Sequence, residues 1–299
     1  MQTGSRAHDI NTTPLKMHSV SDQNLKAIIS RRFYRMIIGV MNNPRESIYK
    51  EAAAFGKADF DFIDLTIEGP RARDVDIRRM RAILEQYNLA VVGHTDPCLP
   101  WAYPIRSIRQ ACIDELERCA RVFSDLGAEI MNIHPCYFCP PAMKALLVDL
   151  NIEALNPIAE MAASYGLKLV FENYLNPFDR VSTFKSLLNA VPEMGLHLDF
   201  GHTNIGRHSH TQFCNHLGGQ IAHVHFSDNR GKADNHMPLG VGSIDWPDAV
   251  TSLKDTGYDG AITLEVFCDD PRTRFHYLDL SRQYVMRLWH KKTDALISN

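Results

Sequence analysis

Six short apolar runs in this 299-residue chain each stop at a side chain that can hold a metal ion or move a proton. LAVVGH stops at His94, EIMNIH at His134, LKLVFE at Glu172, GLHLD at Asp199, IAHVH at His225 and AITLE at Glu265. His202 follows Asp199 by three residues, and Asp234 and His236 follow in the segment after His225. Imidazole and carboxylate groups are the ligands of hard and borderline divalent ions. Glu172, Asp199, His225 and Glu265 suit a single ion best. Their separations of 27, 26 and 40 residues each fit one or two strand–helix units. Three carboxylates and one imidazole favour Mn²⁺ or Zn²⁺, with Mg²⁺ and Co²⁺ also compatible, over a thiolate-seeking metal. His94, His134, His202, Asp234 and His236 are further candidate ligands, of which His94 and Asp234 could equally brace a ligand from behind. Any one of these residues, taken alone, is more often a capping group or a hydrogen-bonded core residue. The repeated placement carries the metal reading.

Such placement needs elements that hide their bodies and present their tips. Candidate strands run over 34–40, 60–67, 89–94, 128–134, 167–172, 194–199, 220–226 and 260–266, mostly as continuous apolar runs, which is the pattern of parallel strands covered on both faces. Between them lie stretches with helical spacing: 45–57, 74–88, 105–126, 142–165, 180–190, 246–257 and 272–291, with a short, weak slot at 209–218. In 105–126, Ile105, Ile108, Cys112, Leu116, Cys119 and Val122 recur at intervals of three or four. Eight such units are the α/β class, a closed (β/α)₈ TIM barrel, which typically takes about 250 residues. The first strand runs into VMNNPRES, without the glycines that a doubly wound sheet places there. The expected organisation is a polar N-terminal arm over 1–33, a single barrel domain over 34–291 and a tail over 292–299.

Composition narrows the partners. A net charge of −3 gives no basic stripe for a nucleic acid, and no run is apolar enough for a membrane span. The N-terminus has no apolar core of a secretory signal. The seven cysteines are odd in number and form no framework, which reads as reduced thiols in a cytoplasmic protein. Cys136 and Cys139 form a lone CxxC after His134 and read as two free thiols in a loop. A homo-oligomer is compatible with the chain.

FEN at 171–173, LDFGH at 198–202, HVHFSDN at 223–229, HMPLGVGSIDW at 236–246 and TLEVF at 263–267 resemble the xylose isomerase-like TIM-barrel superfamily. That superfamily contains sugar isomerases and epimerases related to D-tagatose 3-epimerase, together with endonuclease IV. Resemblance to the epimerases implies that Glu172, Asp199, His225 and Glu265 hold one metal. It also implies that Glu172 and Glu265 shuttle a proton on opposite faces of a cis-enediolate, and that His202 touches substrate. Resemblance to endonuclease IV implies a wider set, in which His94, His134, Glu172, Asp199, His202, His225, Asp234, His236 and Glu265 hold three zinc ions.

The sugar reading is the stronger. The loops IEGPRARD and TDPCLPWAYP carry Arg71, Arg73 and Trp101 but no dense Lys/Arg run, and GSIDW looks more like the sugar-acting branch. The expected function is a metal-dependent isomerase or epimerase of a small sugar or sugar derivative, acting through a metal-bound enediolate; the alternative is a trinuclear zinc abasic-site endonuclease. Substrate contacts are expected from His202, from Glu68, from Trp101 as a pocket floor, and from Arg230. Glu68 could instead pair with Arg71 or Arg73, and Arg230 could be a solvated loop charge. His223 points to the same face as His225 and reads as a deeper, hydrogen-bonded layer residue. Gly240 and Gly242 let their loop turn tightly beside the metal.

Overall fold

The computed structural model describes residues 36–68 and 74–291. The expected N-terminal arm (1–33) and tail (292–299), and also Arg71 and Arg73, lie outside the described residues. Eight parallel strands close in sequence order: β1 (Ile38–Met41), β2 (Phe62–Ile67), β3 (Ala90–Thr95), β4 (Ile130–Ile133), β5 (Lys168–Glu172), β6 (Gly195–Asp199), β7 (Ile221–Phe226) and β8 (Ile262–Leu264). The barrel shuts where Ile38, Gly39 and Val40 of β1 pair with Ile262, Thr263 and Leu264 of β8. The helices are α1 (Ile48–Lys57), α2 (Ile77–Tyr87), α3 (Arg106–Asp125), α4 (Leu147–Ser164), α5 (Val181–Ala190), α6 (Phe200–Ile205), α7 (His210–Leu217), α8 (Trp246–Asp255) and α9 (Pro271–His290). None of the described helices is long and apolar enough to cross a membrane.

Where the expected strands and these differ, the reason is local. β1, β4 and β8 are shorter than their apolar runs, although single ladder bonds continue beside them: the Ile37 carbonyl accepts from the Ile262 N–H, the Glu129 carbonyl accepts from the Lys168 N–H, and the Glu265 N–H donates to the Phe226 carbonyl. The weak slot at 209–218 holds α7, started by a Ser209–Gln212 capping box. A further short helix, α6, precedes it and starts at the tip of β6.

Side chains two apart on a strand share a face. Asn132 and His134, His197 and Asp199, His223 and His225, and Thr263 and Glu265 all belong to the barrel interior at the strand C-terminal ends, where barrels of this kind carry their sites. Below them the interior closes with an aromatic ring. A Cβ on Gly39 would lie 2.5 Å from the Phe62 ring, so the glycine leaves the space that Phe62 fills. At the upper rim, buried Arg274 of α9 binds the Val266 and Met41 carbonyl oxygens and the Glu51 carboxylate, tying the ends of β8 and β1 to α1.

Candidate metal centre and active site

Glu172 is the last residue of β5, Asp199 the last of β6 and His225 the penultimate residue of β7, while Glu265 directly follows β8. One ligand atom each from Glu172, Asp199 and His225 lies within 4.8 Å of the others. Glu265 Oε2 reaches the same site, 3.0 Å from His225 Nδ1. The backbone places each group, and neighbours then fix one oxygen of each carboxylate. Asp199 caps α6, its Oδ1 accepting from the His202 backbone N–H at 2.6 Å. Glu172 Oε2 accepts from Asn132 Nδ2 at 2.6 Å. The other oxygens, Asp199 Oδ2 and Glu172 Oε1, are buried without a well-aligned hydrogen bond, with His225 Nδ1 3.8 Å from the first and His202 Nδ1 3.3 Å from the second. Buried bare carboxylate oxygens are costly unless a cation meets them. Ligand bonds of about 2.1 Å set neighbouring donor atoms roughly 3–3.5 Å apart. The His225–Glu265 spacing matches that, so a divalent ion fits this donor set.

A second group lies alongside. His94, His134 and Glu172 also offer atoms within 4.8 Å, making Glu172 common to both groups. His134 Nε2 stands 3.2 Å from Glu172 Oε2. His202, Asp234 and His236 form a chain that leads back to the first group: His202 Nε2 to Asp234 Oδ2 at 3.0 Å, Asp234 Oδ2 to His236 Nε2 at 3.2 Å, and His236 Nε2 to Glu265 Oε1 at 3.1 Å. All nine candidate ligands are therefore brought to one end of the barrel.

The segment carrying Asp234 and His236 is folded around Asp228. Its carboxylate accepts from the backbone N–H of Gly240, Gly242 and Ile244 and from the Trp246 indole. The GSIDW motif is thus an anchor: Trp246 is buried and closes this loop. His236 sits at φ 46°, a left-handed conformation that a non-glycine residue adopts only when its surroundings require it. The result aims its imidazole at Glu265.

A cavity of about 590 Å³ opens above the carboxylates, within the usual size of a small-molecule site. Glu265, His94, His134, His202, His236, Asp234, Glu68 and Tyr174 line it, with Met41, Asn43, Arg45 and Asp269 toward its mouth. Glu172, Asp199 and His225 are buried beneath it. Two expected substrate contacts lie elsewhere. Trp101 is buried behind the site, its indole N–H donating to the His134 carbonyl at 3.1 Å and its ring against Phe171, so it supports His134 rather than flooring the cavity. Arg230 is exposed and absent from the described lining. Arg45 is the one Lys or Arg among the described lining residues. Cys136 and Cys139 are free thiols, and neither lines the cavity.

Sequence reading missed two interior residues. Asp64, in the middle of β2, is fully buried and accepts at Oδ2 from Thr263 Oγ1 at 2.7 Å, with His225 Nε2 at 2.9 Å and His223 Nε2 at 3.2 Å. An acid inside the apolar run FDFIDLTI was the available signal. His197 is also fully buried, its Nδ1 3.3 Å from Glu172 Oε2. His223 is the deeper layer residue expected, held by Asp64 and Thr263.

Burial and proximity split the ionisations. Burial pushes the Asp199 carboxyl up to about 7, with Glu265, Glu172 and Asp234 adding to the rise and His202 opposing it. Burial pulls His134 down to about 4, so its imidazole is neutral at neutral pH. For Glu265, burial opposes ionisation, but His236 and His225 outweigh it and hold the carboxyl well below its ordinary range. His236 is raised to about 9, burial being overcome by Glu265 and Asp234. Burial raises Glu68, helped by Asp96 and Glu265.

The family model of the xylose isomerase-like TIM barrel matches residues 50–284. An uncharacterised protein of Methanocaldococcus jannaschii is 25% identical over 240 residues, 74% of this chain and 79% of that protein. Fructoselysine 3-epimerase of Escherichia coli O157:H7 is 22% identical over 251 residues, 77% of this chain and 89% of the enzyme. A solved structure described as a D-tagatose 3-epimerase-like protein superimposes with a TM-score of 0.74 at 25% identity, covering 85% of this chain and 98% of that one. The chain belongs to the xylose isomerase-like TIM-barrel family.

Proposed function

We propose that this chain is a divalent-metal-dependent isomerase or epimerase of a small sugar or sugar derivative, with epimerisation next to a carbonyl the first reaction to test. One observation carries the reading. Glu172, Asp199, His225 and Glu265 converge, with Asp199 Oδ2 and Glu172 Oε1 buried and without a well-aligned hydrogen bond, at the base of a cavity whose described lining holds a single arginine. A small polyol matches that lining, with its many carboxylate and imidazole hydrogen-bond partners. A groove that tracks a phosphate backbone needs several cations. The named relatives that act on sugars support the same choice over the endonuclease.

Glu172, Asp199, His225 and Glu265 would hold Mn²⁺ or Zn²⁺, with Mg²⁺ or Co²⁺ as substitutes; His94 and His134 offer, with Glu172, a place for a second ion. The ion supplies positive charge where negative charge grows on the substrate oxygens. This chain's own residues do the rest. Glu265, facing the cavity, takes the proton from the carbon beside the ketone, and the electron pair moves into the carbonyl to give an enediolate. Glu172 and Glu265 are the acid–base pair, one on each face of that planar species. Return of a proton from the opposite face gives the epimer with no net oxidation. His202 and Glu68 hydrogen-bond substrate hydroxyls. Trp101 acts through His134, whose carbonyl it holds.

The test is exchange of solvent deuterium into a panel of ketoses with Mn²⁺ present. The wild type exchanges the hydrogen beside the carbonyl, and Glu172→Gln and Glu265→Gln lose exchange by at least about a hundredfold while remaining folded. Undiminished exchange in both variants removes the mechanism. Incision of a duplex bearing an abasic site, with zinc and without ketose turnover, transfers the site to the nuclease reading.

A further inference from the structure

We propose that Asp64 is the positioning carboxylate of His225, holding the imidazole through Nε2–H so that Nδ1 is turned to the ion. The inference rests on the metal reading above and gives a role to a buried group which that reading leaves unused. Interior positions of such barrels are ordinarily filled by branched apolar side chains. A carboxylate there is expensive to bury unless its partners are well placed. Asp64 has them. His225 Nε2 lies 2.9 Å from Oδ2, Thr263 Oγ1 donates to the same oxygen at 2.7 Å, and His223 Nε2 is 3.2 Å away. Three groups from β7 and β8 therefore converge on one oxygen of β2. The carboxylate is fixed across the barrel, independently of the carboxylates above it.

Position decides the consequence for His225. Its other nitrogen, Nδ1, lies 3.0 Å from Glu265 Oε2 and 3.8 Å from Asp199 Oδ2. A neutral imidazole carries hydrogen on one nitrogen only. If that hydrogen sat on Nδ1 it would point at Glu265 and fill the place of the ion. An acceptor at Nε2 draws the hydrogen to the far side and leaves the Nδ1 lone pair facing Asp199 and Glu265. Asp64 Oδ1 also faces His94 Nδ1 at 3.6 Å, so the same residue lies beneath both ligand groups.

A purely structural Asp64 would only balance the buried imidazoles. The two roles separate by measurement. Calorimetric titration with Co²⁺ alone is made on wild type and on Asp64→Asn, both checked for fold by circular dichroism. Wild type labelled with ¹⁵N-histidine and loaded with zinc is examined by NMR, with His225 assigned through His225→Gln. The expected results are about 10–100-fold weaker ion binding in Asp64→Asn, and a wild-type His225 with hydrogen on Nε2 and metal on Nδ1. Unchanged affinity in folded Asp64→Asn overturns the role, as does metal on Nε2 in the wild type. Should Asp64→Asn not fold, the wild-type spectrum decides alone. A wild type that takes up no ion removes the metal reading and Asp64's role together, whereas normal wild-type uptake with an indifferent Asp64→Asn removes only the latter.

Discussion

His236 Nε2 lies 3.1 Å from Glu265 Oε1, although the two residues come from different strand-to-helix loops. With His225 on Oε2, the carboxylate is held at both oxygens, and Oε1 faces a loop residue in a left-handed conformation. His236→Ala is expected to lower kcat by about 10–100-fold. The melting temperature should move little, because His236 lies at the cavity wall. Steady-state kinetics with a matched thermal melt checks this, and a variant with wild-type kcat contradicts it.

Metal uptake should depend on pH through Asp199. Its carboxyl is neutral below about 7 in the metal-free protein, since burial raises it from the ordinary value of 3.8. An ion needs ionised Asp199 and neutral His225, and although burial opposes it, the Asp64 and Glu265 carboxylates raise His225 well above the ordinary histidine value, so affinity climbs as pH rises to 7 and beyond, with protons released on binding. The effect on stability has the opposite sign without metal. A group raised in the folded state stabilises it fully below its unfolded pKa, and that contribution is lost as pH rises through the folded value. Between about pH 4 and 7, the window set by the ordinary 3.8 and the folded value of about 7 for Asp199, this contribution to the stability of the metal-free protein declines and that of the loaded protein does not. Paired melts with and without Mn²⁺ in several buffers test the difference, and a gap that narrows with rising pH contradicts it.

The loop bearing Asp234 and His236 should be intolerant of a methyl group at Gly242. A Cβ there would lie 2.1 Å from Asp228 Oδ1 and 2.3 Å from the Asn229 carbonyl oxygen, which is backbone and cannot swing aside. Gly242→Ala is predicted to cost about 1–3 kcal/mol and to weaken substrate turnover by displacing His236. Chemical denaturation and kinetics on the same sample read both effects. Full activity with unchanged stability would show that Asp228 does not organise this loop.

Closure of the barrel rim depends on Arg274. Its guanidinium is buried and bridges the Glu51 carboxylate and two strand-end carbonyls. Arg274→Met strands the Glu51 charge and is expected to cost about 3–5 kcal/mol. Arg274→Met combined with Glu51→Leu should recover much of that loss, as an apolar pair replaces an ion pair. Thermal unfolding of the single and double variants decides, and equal losses in both would point away from the stranded charge.

The strand tips were legible because a barrel of this kind repeats one device: an apolar run followed by a reactive side chain. Glu172, Asp199, His225 and Glu265 each follow that rule, and the register then brings them together. Asp64 breaks it. It lies three residues before the end of β2, where an acid reads as an error in the pattern, and its partners His223, His225 and Thr263 are about 160 to 200 residues away. Trp101 was misplaced for a related reason. Aromatic residues after strand three fit a pocket floor as well as a buried brace, and only the hydrogen bond to the His134 carbonyl separates the two. Asp228, which gathers the Gly240, Gly242 and Ile244 N–H groups and the Trp246 indole, was hidden among the polar residues of HVHFSDN.

Anomalous diffraction from crystals grown with Mn²⁺ tests the central arrangement most directly. The account predicts a peak with Glu172, Asp199, His225 and Glu265 each at about 2.0–2.4 Å from it, lost in His225→Ala. A peak held by other residues, or none at saturating Mn²⁺, would contradict it.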